Sequence, residues 1–158
     1  MIFNSNNDLT PEEWDIDPDS TTELLPGNVL QLGARNIVFF GQFPSSAARE
    51  LGTFSNDDLK GTYNLTADVY NSNNQLPVTA TIKWRRVFSY ETVAEQTVDP
   101  DPPTGPGLWN IGQINLDFTF PEYEFGAGVQ ILFTAPDAIV TPAETFGYVR
   151  NILITRTG

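Results

Sequence analysis

Hydrophobic and polar residues alternate with a period of two along much of this chain. The clearest example is residues 61–70, whose apolar positions are Tyr63, Leu65, Ala67 and Val69 and whose polar positions are Thr62, Asn64, Thr66 and Asp68. Such alternation is typical of a β-strand with one buried face. The same pattern recurs at residues 78–84, 112–120, 128–134 and 146–155. It predicts an all-β protein.

The segments between the alternating runs indicate how the strands connect. The polar run 71–74 separates strands 61–70 and 78–84, which predicts that these two strands form an antiparallel hairpin. Ser45 is a typical residue before the start of a helix and Gly52 is a typical residue after its end. Together they predict one or two helical turns over 45–51. The four prolines in residues 99–107 predict a stiff, extended loop, because proline cannot donate a backbone hydrogen bond.

The strand count and the loops favour one architecture. About eight antiparallel strands joined by long loops are more typical of a sandwich than of a small barrel. We therefore predict an all-β, single-domain antiparallel β-sandwich of jelly-roll type over residues 28–158, preceded by an extended N-terminal arm over residues 1–27. A chain of 158 residues is long enough to bury such a core without metals or disulfides.

The predicted arm combines negative charge with spaced apolar residues. Residues 1–27 contain seven acidic side chains and no basic one. Its apolar anchors are Ile2, Phe3, Leu9, Trp14, Ile16, Leu24 and Leu25. An arm of this kind docks on a protein surface, which is either the chain's own domain or a neighbouring subunit. For the second case these anchors are the predicted partner interface.

The composition excludes several functional classes. The chain has no His and no Cys, so imidazole bases, thiol nucleophiles and Cys/His metal sites are not available to it. Its 8 basic and 20 acidic residues give a net charge of −12, which disfavours binding to nucleic acid or to anionic membranes. The first residues lack the basic and apolar regions of a secretory signal, which predicts synthesis in the cytoplasm.

Carboxylate pairs are the remaining candidates for catalysis or metal binding. Glu122 and Glu124 flank Tyr123, but two acids spaced in this way beside a turn are more typical of a solvated loop than of a glycosidase pair. The runs 56–58 and 99–101 offer oxygen ligands without matching an ordered calcium-binding loop. We therefore predict no catalytic residue, no metal site and no cofactor.

The tryptophans and one basic cluster are candidates for binding. Trp84 continues the apolar face of its strand and is expected in the core. Trp109 lies at the entrance of a strand, which is more typical of a position at the edge of the core. With Tyr123 it is also a candidate glycan contact, because exposed aromatic faces bind sugar rings through apolar contact. Arg85 and Arg86 form the main basic cluster. They are candidates to receive the acidic arm of a neighbouring copy.

Three segments carry a resemblance to known proteins. Residues 61–70, the Trp109-led segment that ends in residues 113–120, and residues 147–154 together resemble the jelly-roll sandwiches of carbohydrate-binding-module type. The resemblance implies a sandwich fold and leaves a glycan ligand open. Arg150 stands where that family commonly carries Asp, which weakens the implication of a structural calcium site.

The combination of a jelly roll, an acidic arm and no catalytic group also resembles the capsid decoration (cement) proteins of tailed phages. That resemblance implies a virion structural protein on the capsid surface. Its partners would be the major capsid protein and other copies of the chain in a homotrimer. We take capsid decoration as the first hypothesis. The alternative is a carbohydrate-binding module or the receptor-binding tip of a phage fibre.

Overall fold

The structure is a computed structural model that describes residues 3–4, 14–16, 22–33, 45–71, 77–85, 88–101, 103–122, 127–135 and 146–158. These residues form eleven β-strands: β1 (Phe3–Asn4), β2 (Trp14–Ile16), β3 (Glu23–Leu25), β4 (Val29–Gly33), β5 (Ser45–Phe54), β6 (Tyr63–Asn71), β7 (Val78–Arg85), β8 (Tyr90–Val98), β9 (Ile111–Phe118), β10 (Ala127–Ala135) and β11 (Phe146–Arg156). The described segments contain no helix with the length and hydropathy of a bilayer span.

The strands form two antiparallel sheets. Sheet A has the order β3-β4-β11-β6-β9, with β1 also paired to β11, and sheet B has the order β2-β5-β10-β7-β8. Both sheets contribute apolar side chains to one shared core. This arrangement confirms the predicted antiparallel β-sandwich.

The core follows from the alternation in the sequence. On β6, the inward side chains of Tyr63, Leu65, Ala67 and Val69 are at most 1% exposed. They belong to the same buried cluster as the inward residues of β10 on sheet B. Full burial of a side chain such as Leu65 or Val69 contributes about 1.5–3 kcal/mol. Trp84 of β7 is buried in this core, as its strand pattern predicts.

The predicted hairpin between strands 61–70 and 78–84 is wrong. β6 lies in sheet A between β11 and β9, whereas β7 lies in sheet B between β10 and β8. The alternating pattern shows only that each strand buries one face. Two such strands are able to pair in one sheet or to face each other across the core, so the pattern does not distinguish a hairpin from a crossing between sheets. β6 therefore ends at Asn71 in sheet A, and β7 begins at Val78 in sheet B.

The predicted helical turns at 45–51 are also wrong, because this segment belongs to β5. It pairs with β10 along one edge and with β2 along the other. Backbone pairing on both sides, together with burial of Ala47 and Arg49, overrides the helical propensity of its Ala, Arg and Glu residues. Gly52, with φ of 128°, lies at a β-bulge opposite Val129 rather than at a helix end.

The described parts of residues 1–27 are extended and pair with the chain's own sheets. β1 pairs with β11, β2 with β5 and β3 with β4. Trp14 is only 7% exposed, its ring centroid lies 6.3 Å from that of Phe133, and Arg49 lies over its ring. Ile16 and Leu24 pack against the same core. Of the two surfaces on which an arm of this kind was expected to dock, these residues use the chain's own domain.

Candidate functional site

The outer face of sheet A aligns side chains from three strands in rows. In one row Tyr148 of β11 lies opposite Tyr70 of β6, and Tyr70 lies opposite Ile111 of β9. In the next row Arg150 lies opposite Asp68. The alternation that buries the neighbouring residues directs all five of these side chains to the outside of the sandwich.

Three aromatic residues form a cluster at this end of the sheet, which we call the aromatic platform: Tyr70, Trp109 and Tyr148. The two tyrosine rings stack with centroids 4.9 Å apart and an interplanar angle of 20°. Trp109 meets both rings edge-on, at 5.4 Å from Tyr70 and 6.4 Å from Tyr148. These distances lie in the range where aromatic pairs attract each other beyond simple burial.

A groove of about 180 Å³ opens beside the platform and is lined by Tyr70, Trp109, Ile111 and Arg150. Trp109 is 48% exposed and Ile111 is 50% exposed, and Leu108 next to them is also exposed. Three consecutive or nearby apolar side chains therefore face water together, and contiguous apolar surface is a feature of many binding sites. The groove combines apolar walls with a single charged group, as small-ligand sites do.

The loop that carries Trp109 is fixed to the sandwich. Asn71 at the end of β6 is fully buried, and its Nδ2 donates a hydrogen bond of 2.5 Å to the carbonyl oxygen of Pro100. Further along, Leu108 N donates to Gly105 O at 3.0 Å, which closes a turn just before Trp109. The predicted stiff loop is thus held at its start and at its turn, so that Trp109 is presented next to Tyr70.

Two charged side chains and one amide, those of Arg150, Asp68 and Asn151, lie next to Tyr70 on the same face of the sheet. The guanidinium of Arg150 lies 5.3 Å from the centre of the Tyr70 ring, and its Nε is 3.9 Å from Asp68 Oδ2. Asn151 Nδ2 donates to that same oxygen at 2.8 Å. Asn151 has φ of 52° at the irregularity in the β11–β6 register, a conformation that Asn tolerates better than most residues. This bulge places Arg150 and Asn151 on either side of one carboxylate.

Burial shifts the titration of both platform tyrosines. It raises the pKa of the Tyr70 phenol, and the nearby Arg150 charge offsets part of that rise. Burial also raises the pKa of the Tyr148 phenol, and the adjacent Tyr70 raises it further. Both hydroxyl groups are therefore protonated at neutral pH and are able to donate hydrogen bonds.

The outer face continues from the platform as a polar row, formed by Asn64, Asn115 and Asp117. Asn64 Nδ2 donates to Asn115 Oδ1 at 2.7 Å and to Asp117 Oδ1 at 2.8 Å. The backbone N–H of Asn115 donates to Gln96 of β8 at 2.8 Å, which ties this edge of sheet A to sheet B. Tyr70 and Asn64 are about 20 Å apart along β6, at about 3.3 Å per residue.

The structure places the candidate site residues in different regions. Trp109 is part of the platform, whereas Tyr123, named with it as a glycan contact, lies outside the described residues, as does Glu124. Glu122 is exposed. Asp57 pairs with Lys60 at 2.7 Å and Asp58 accepts hydrogen bonds from Ser55. The described residues contain no group of three or more acidic side chains arranged to hold a metal.

The candidate interface residues are similarly dispersed. Arg85 is exposed and lies over the ring of Tyr90 on sheet B, 5.9 Å from its centre. Leu25 is partly exposed in β3, and Phe3 lies in β1. Ile2, Leu9 and Arg86 lie outside the described residues.

The sequence interpretation missed Tyr70, Tyr148 and Arg150 as members of a site. A signal was present, because Tyr70 and Tyr148 both fall on the outer, mainly polar faces of their strands. An aromatic residue at such a position is exposed unless it stacks on a neighbour. Only the register of β6 and β11 shows that these two stack on each other.

Comparison with known proteins supports the fold. Neither a protein-family model nor a curated protein sequence matches this chain. A family 4 carbohydrate-binding module is similar in structure, with a TM-score of 0.60 and 15% identity over 96% of this chain and 91% of the module. The N-terminal cellulose-binding domain of a Cellulomonas fimi β-1,4-glucanase C has a TM-score of 0.59 and 14% identity, covering 94% and 91%.

A third similar structure is the xylan-binding domain CBM22-1 of Paenibacillus barcinonensis Xyn10C. Its TM-score is 0.52 with 13% identity, over 98% of this chain and 93% of that domain. At these identities the likeness shows the jelly-roll sandwich fold. None of these three structures is a virion protein, so the comparison lends no support to capsid decoration.

Proposed function

We propose that this domain binds a glycan chain without cleaving it, on the outer face of sheet A. The observation that carries the proposal is the exposed aromatic platform next to a groove and a polar row, all on one sheet face. Glycan binding on this face is compatible with two roles, a carbohydrate-binding module and the receptor-binding tip of a fibre. The proposal concerns the face that both would use.

The platform suits the apolar side of a sugar ring. A pyranose presents C–H groups on its faces and hydroxyl groups around its rim. Burial of those C–H groups against Trp109 would remove apolar surface from water on both partners, at about 25 cal/mol per Å². The protonated hydroxyl groups of Tyr70 and Tyr148 are available as donors to the rim. Because the rings already pack together, little side-chain freedom is lost on binding.

The polar row suits the hydroxyl groups of further sugar units. Asn64 uses its two amide N–H groups within the row, so the amide of Asn115 would be the donor to a sugar, and the side-chain oxygens of Asn64 and Asp117 would be acceptors. The length of about 20 Å from the platform to Asn64 spans several units of an extended polysaccharide. The similar folds named above include domains described as binding cellulose and xylan, which supports a polysaccharide as the ligand class.

Binding to soluble xylan, β-glucan and cello-oligosaccharides, measured by affinity electrophoresis and calorimetry, tests the proposal. We expect Trp109→Ala and Tyr148→Ala each to weaken binding by about tenfold or more, equivalent to about 1.4 kcal/mol. Phe88→Ala is the matched control, because Phe88 is 97% exposed at the opposite end of β8 from the Trp109 loop. Equal losses in Phe88→Ala and Trp109→Ala would contradict the assignment of the site.

A further inference from the structure

The groove beside the platform contains a cation in an otherwise apolar lining. Among its lining residues Tyr70, Trp109, Ile111 and Arg150, only Arg150 carries a formal charge. Its side chain is 40% exposed, so the guanidinium is accessible from solvent while it rests over the Tyr70 ring. The terminal nitrogens of a guanidinium that lies over an aromatic ring are able to bind a planar anion.

Within the described part of the chain, the carboxylate paired with this guanidinium is that of Asp68, and it does not accept a hydrogen bond from Arg150 Nε. Asp68 Oδ2 is 3.9 Å from Arg150 Nε, which is beyond hydrogen-bond distance, and Asn151 already donates to that oxygen at 2.8 Å. Arg150 Nε is buried and has no hydrogen-bond partner within the described part of the chain, so contact with a ligand falls to the two terminal nitrogens of the guanidinium. Asp68 therefore fixes the position of Arg150 by charge attraction without using its donors.

We propose that the groove recognises a sugar that carries a carboxylate, a hexuronic acid, through Arg150. This inference rests on the proposed glycan function and adds the chemical class of one sugar unit. The ring of that unit would lie against Trp109 and its carboxylate would meet the guanidinium, which matches carboxylate geometry through two parallel N–H donors. A neutral hexose at the same position would offer the guanidinium hydroxyl acceptors but no negative charge, and hydrogen bonds to an ionised acceptor are the stronger ones.

The net charge of −12 does not oppose such a contact at short range. At physiological ionic strength the screening length is about 8 Å, so acidic residues on distant faces have little effect in the groove. Among the described residues, Asp68 forms an ion pair with Arg150, and Asn151 donates a hydrogen bond to the same carboxylate oxygen. Within this distance, the attraction between the guanidinium and a carboxylate determines whether the groove prefers an acidic or a neutral sugar.

The test compares acidic oligosaccharides with their own carboxyl-reduced forms. Oligogalacturonate, oligomannuronate and glucuronate-substituted xylo-oligosaccharides are titrated by calorimetry beside the reduced version of each and beside unsubstituted xylo-oligosaccharides. The proteins are the full chain, Arg150→Gln, Arg150→Lys and Arg85→Gln. Arg85→Gln is the matched control, because it removes one exposed arginine that lies over a tyrosine ring on the other sheet.

We expect the full chain to bind at least one acidic oligosaccharide about tenfold more tightly than its reduced form. Arg150→Gln should abolish that difference while binding of the reduced form is retained. Arg150→Lys should keep part of it, because lysine retains the charge without the planar fork, and Arg85→Gln should keep all of it.

The outcomes separate the two proposals. Binding of neutral oligosaccharides with no preference for the acidic forms would overturn the role of Arg150 and leave glycan binding intact. A preference for the acidic forms that survives in Arg150→Gln would also overturn it. No binding to any acidic or neutral oligosaccharide would overturn glycan binding itself, and the inference with it.

Discussion

Asn71 links the buried end of β6 to the loop that carries Trp109, by donating a 2.5 Å hydrogen bond to the carbonyl oxygen of Pro100. The residue before it, Tyr70, points outward and forms part of the aromatic platform. One strand end therefore supplies both a ring of the candidate site and the anchor of the loop that supplies another ring. The inward and outward directions of successive strand residues make this possible.

We expect Asn71→Ala to disorder this loop. Removing the amide leaves the buried Pro100 carbonyl without its donor, which costs about 1–3 kcal/mol of unfolding free energy. Urea denaturation measures the loss, and limited proteolysis within residues 99–110 measures loop opening. Asn64→Ala is the control, since Asn64 makes its hydrogen bonds on the exposed face. Unchanged stability and proteolysis in Asn71→Ala would contradict the anchoring role.

Trp14 tests whether the N-terminal segment stabilises its own domain. Because Trp14 is buried against Phe133, Trp14→Ala should lower the unfolding free energy of the isolated chain by about 3–5 kcal/mol. A Trp14 that served only as an anchor on neighbouring subunits would leave the isolated chain unaffected. Denaturant unfolding at low protein concentration distinguishes these cases. Phe88→Ala, which removes an exposed ring, should change the free energy by less than about 0.5 kcal/mol.

The platform tyrosines predict a loss of stability in alkaline solution. Burial raises the pKa of Tyr70 and of Tyr148 in the folded state above the ordinary value of 10.0. The unfolded chain then loses these protons at lower pH than the folded chain does. Their contribution is complete below about pH 10 and is lost as pH rises through the higher folded pKa values.

Urea unfolding as a function of pH measures this effect. Tyr148→Phe should flatten the decline above pH 10, because phenylalanine keeps the ring but cannot ionise. Absorbance titration of tyrosinate in the folded protein should lose a late-titrating group in the same variant. A decline of identical steepness in the full chain and in Tyr148→Phe would show that other groups govern it.

The sequence pattern predicts which face of each strand is buried, but it does not predict which strands lie beside it in the sheet. The positions of Tyr63, Leu65, Ala67 and Val69 predict which side of β6 is buried, and burial of all four confirms it. A period of two contains no information on which strand lies alongside, so β6 and β7 were wrongly paired. At residues 45–51 the local helical propensity was outweighed by pairing with β10 and β2, which are distant in sequence.

The candidate site was predictable only in part for the same reason. Trp109 follows a proline-rich loop and precedes a strand, and these local signals are compatible with the edge of the core as well as with an exposed ring. Tyr70 and Tyr148 come from strands far apart in sequence, and their stacking depends on the register of β6 and β11. Register arises from the packing of the whole sheet, which no local pattern contains.

Gly112 lies where the chain enters β9 from the Trp109 loop, and it tests the packing beneath the groove. An ideal Cβ atom at this position would lie 2.6 Å from Val98 Cγ1 and 3.4 Å from Pro100 Cβ. Gly112→Ala should therefore force Val98 or the start of the loop to move, which destabilises the domain by about 1–3 kcal/mol. The same displacement should weaken glycan binding, because Pro100 positions the loop of Trp109.

Val98→Ala provides the second half of a double-mutant cycle. It removes the methyl group that the new Cβ would meet, so Gly112→Ala should cost less in the Val98→Ala background than in the native one. We expect a favourable interaction energy of about 0.5–2 kcal/mol from denaturant unfolding of the four proteins. Strict additivity would show that the contact with Val98 is not what excludes a side chain at Gly112.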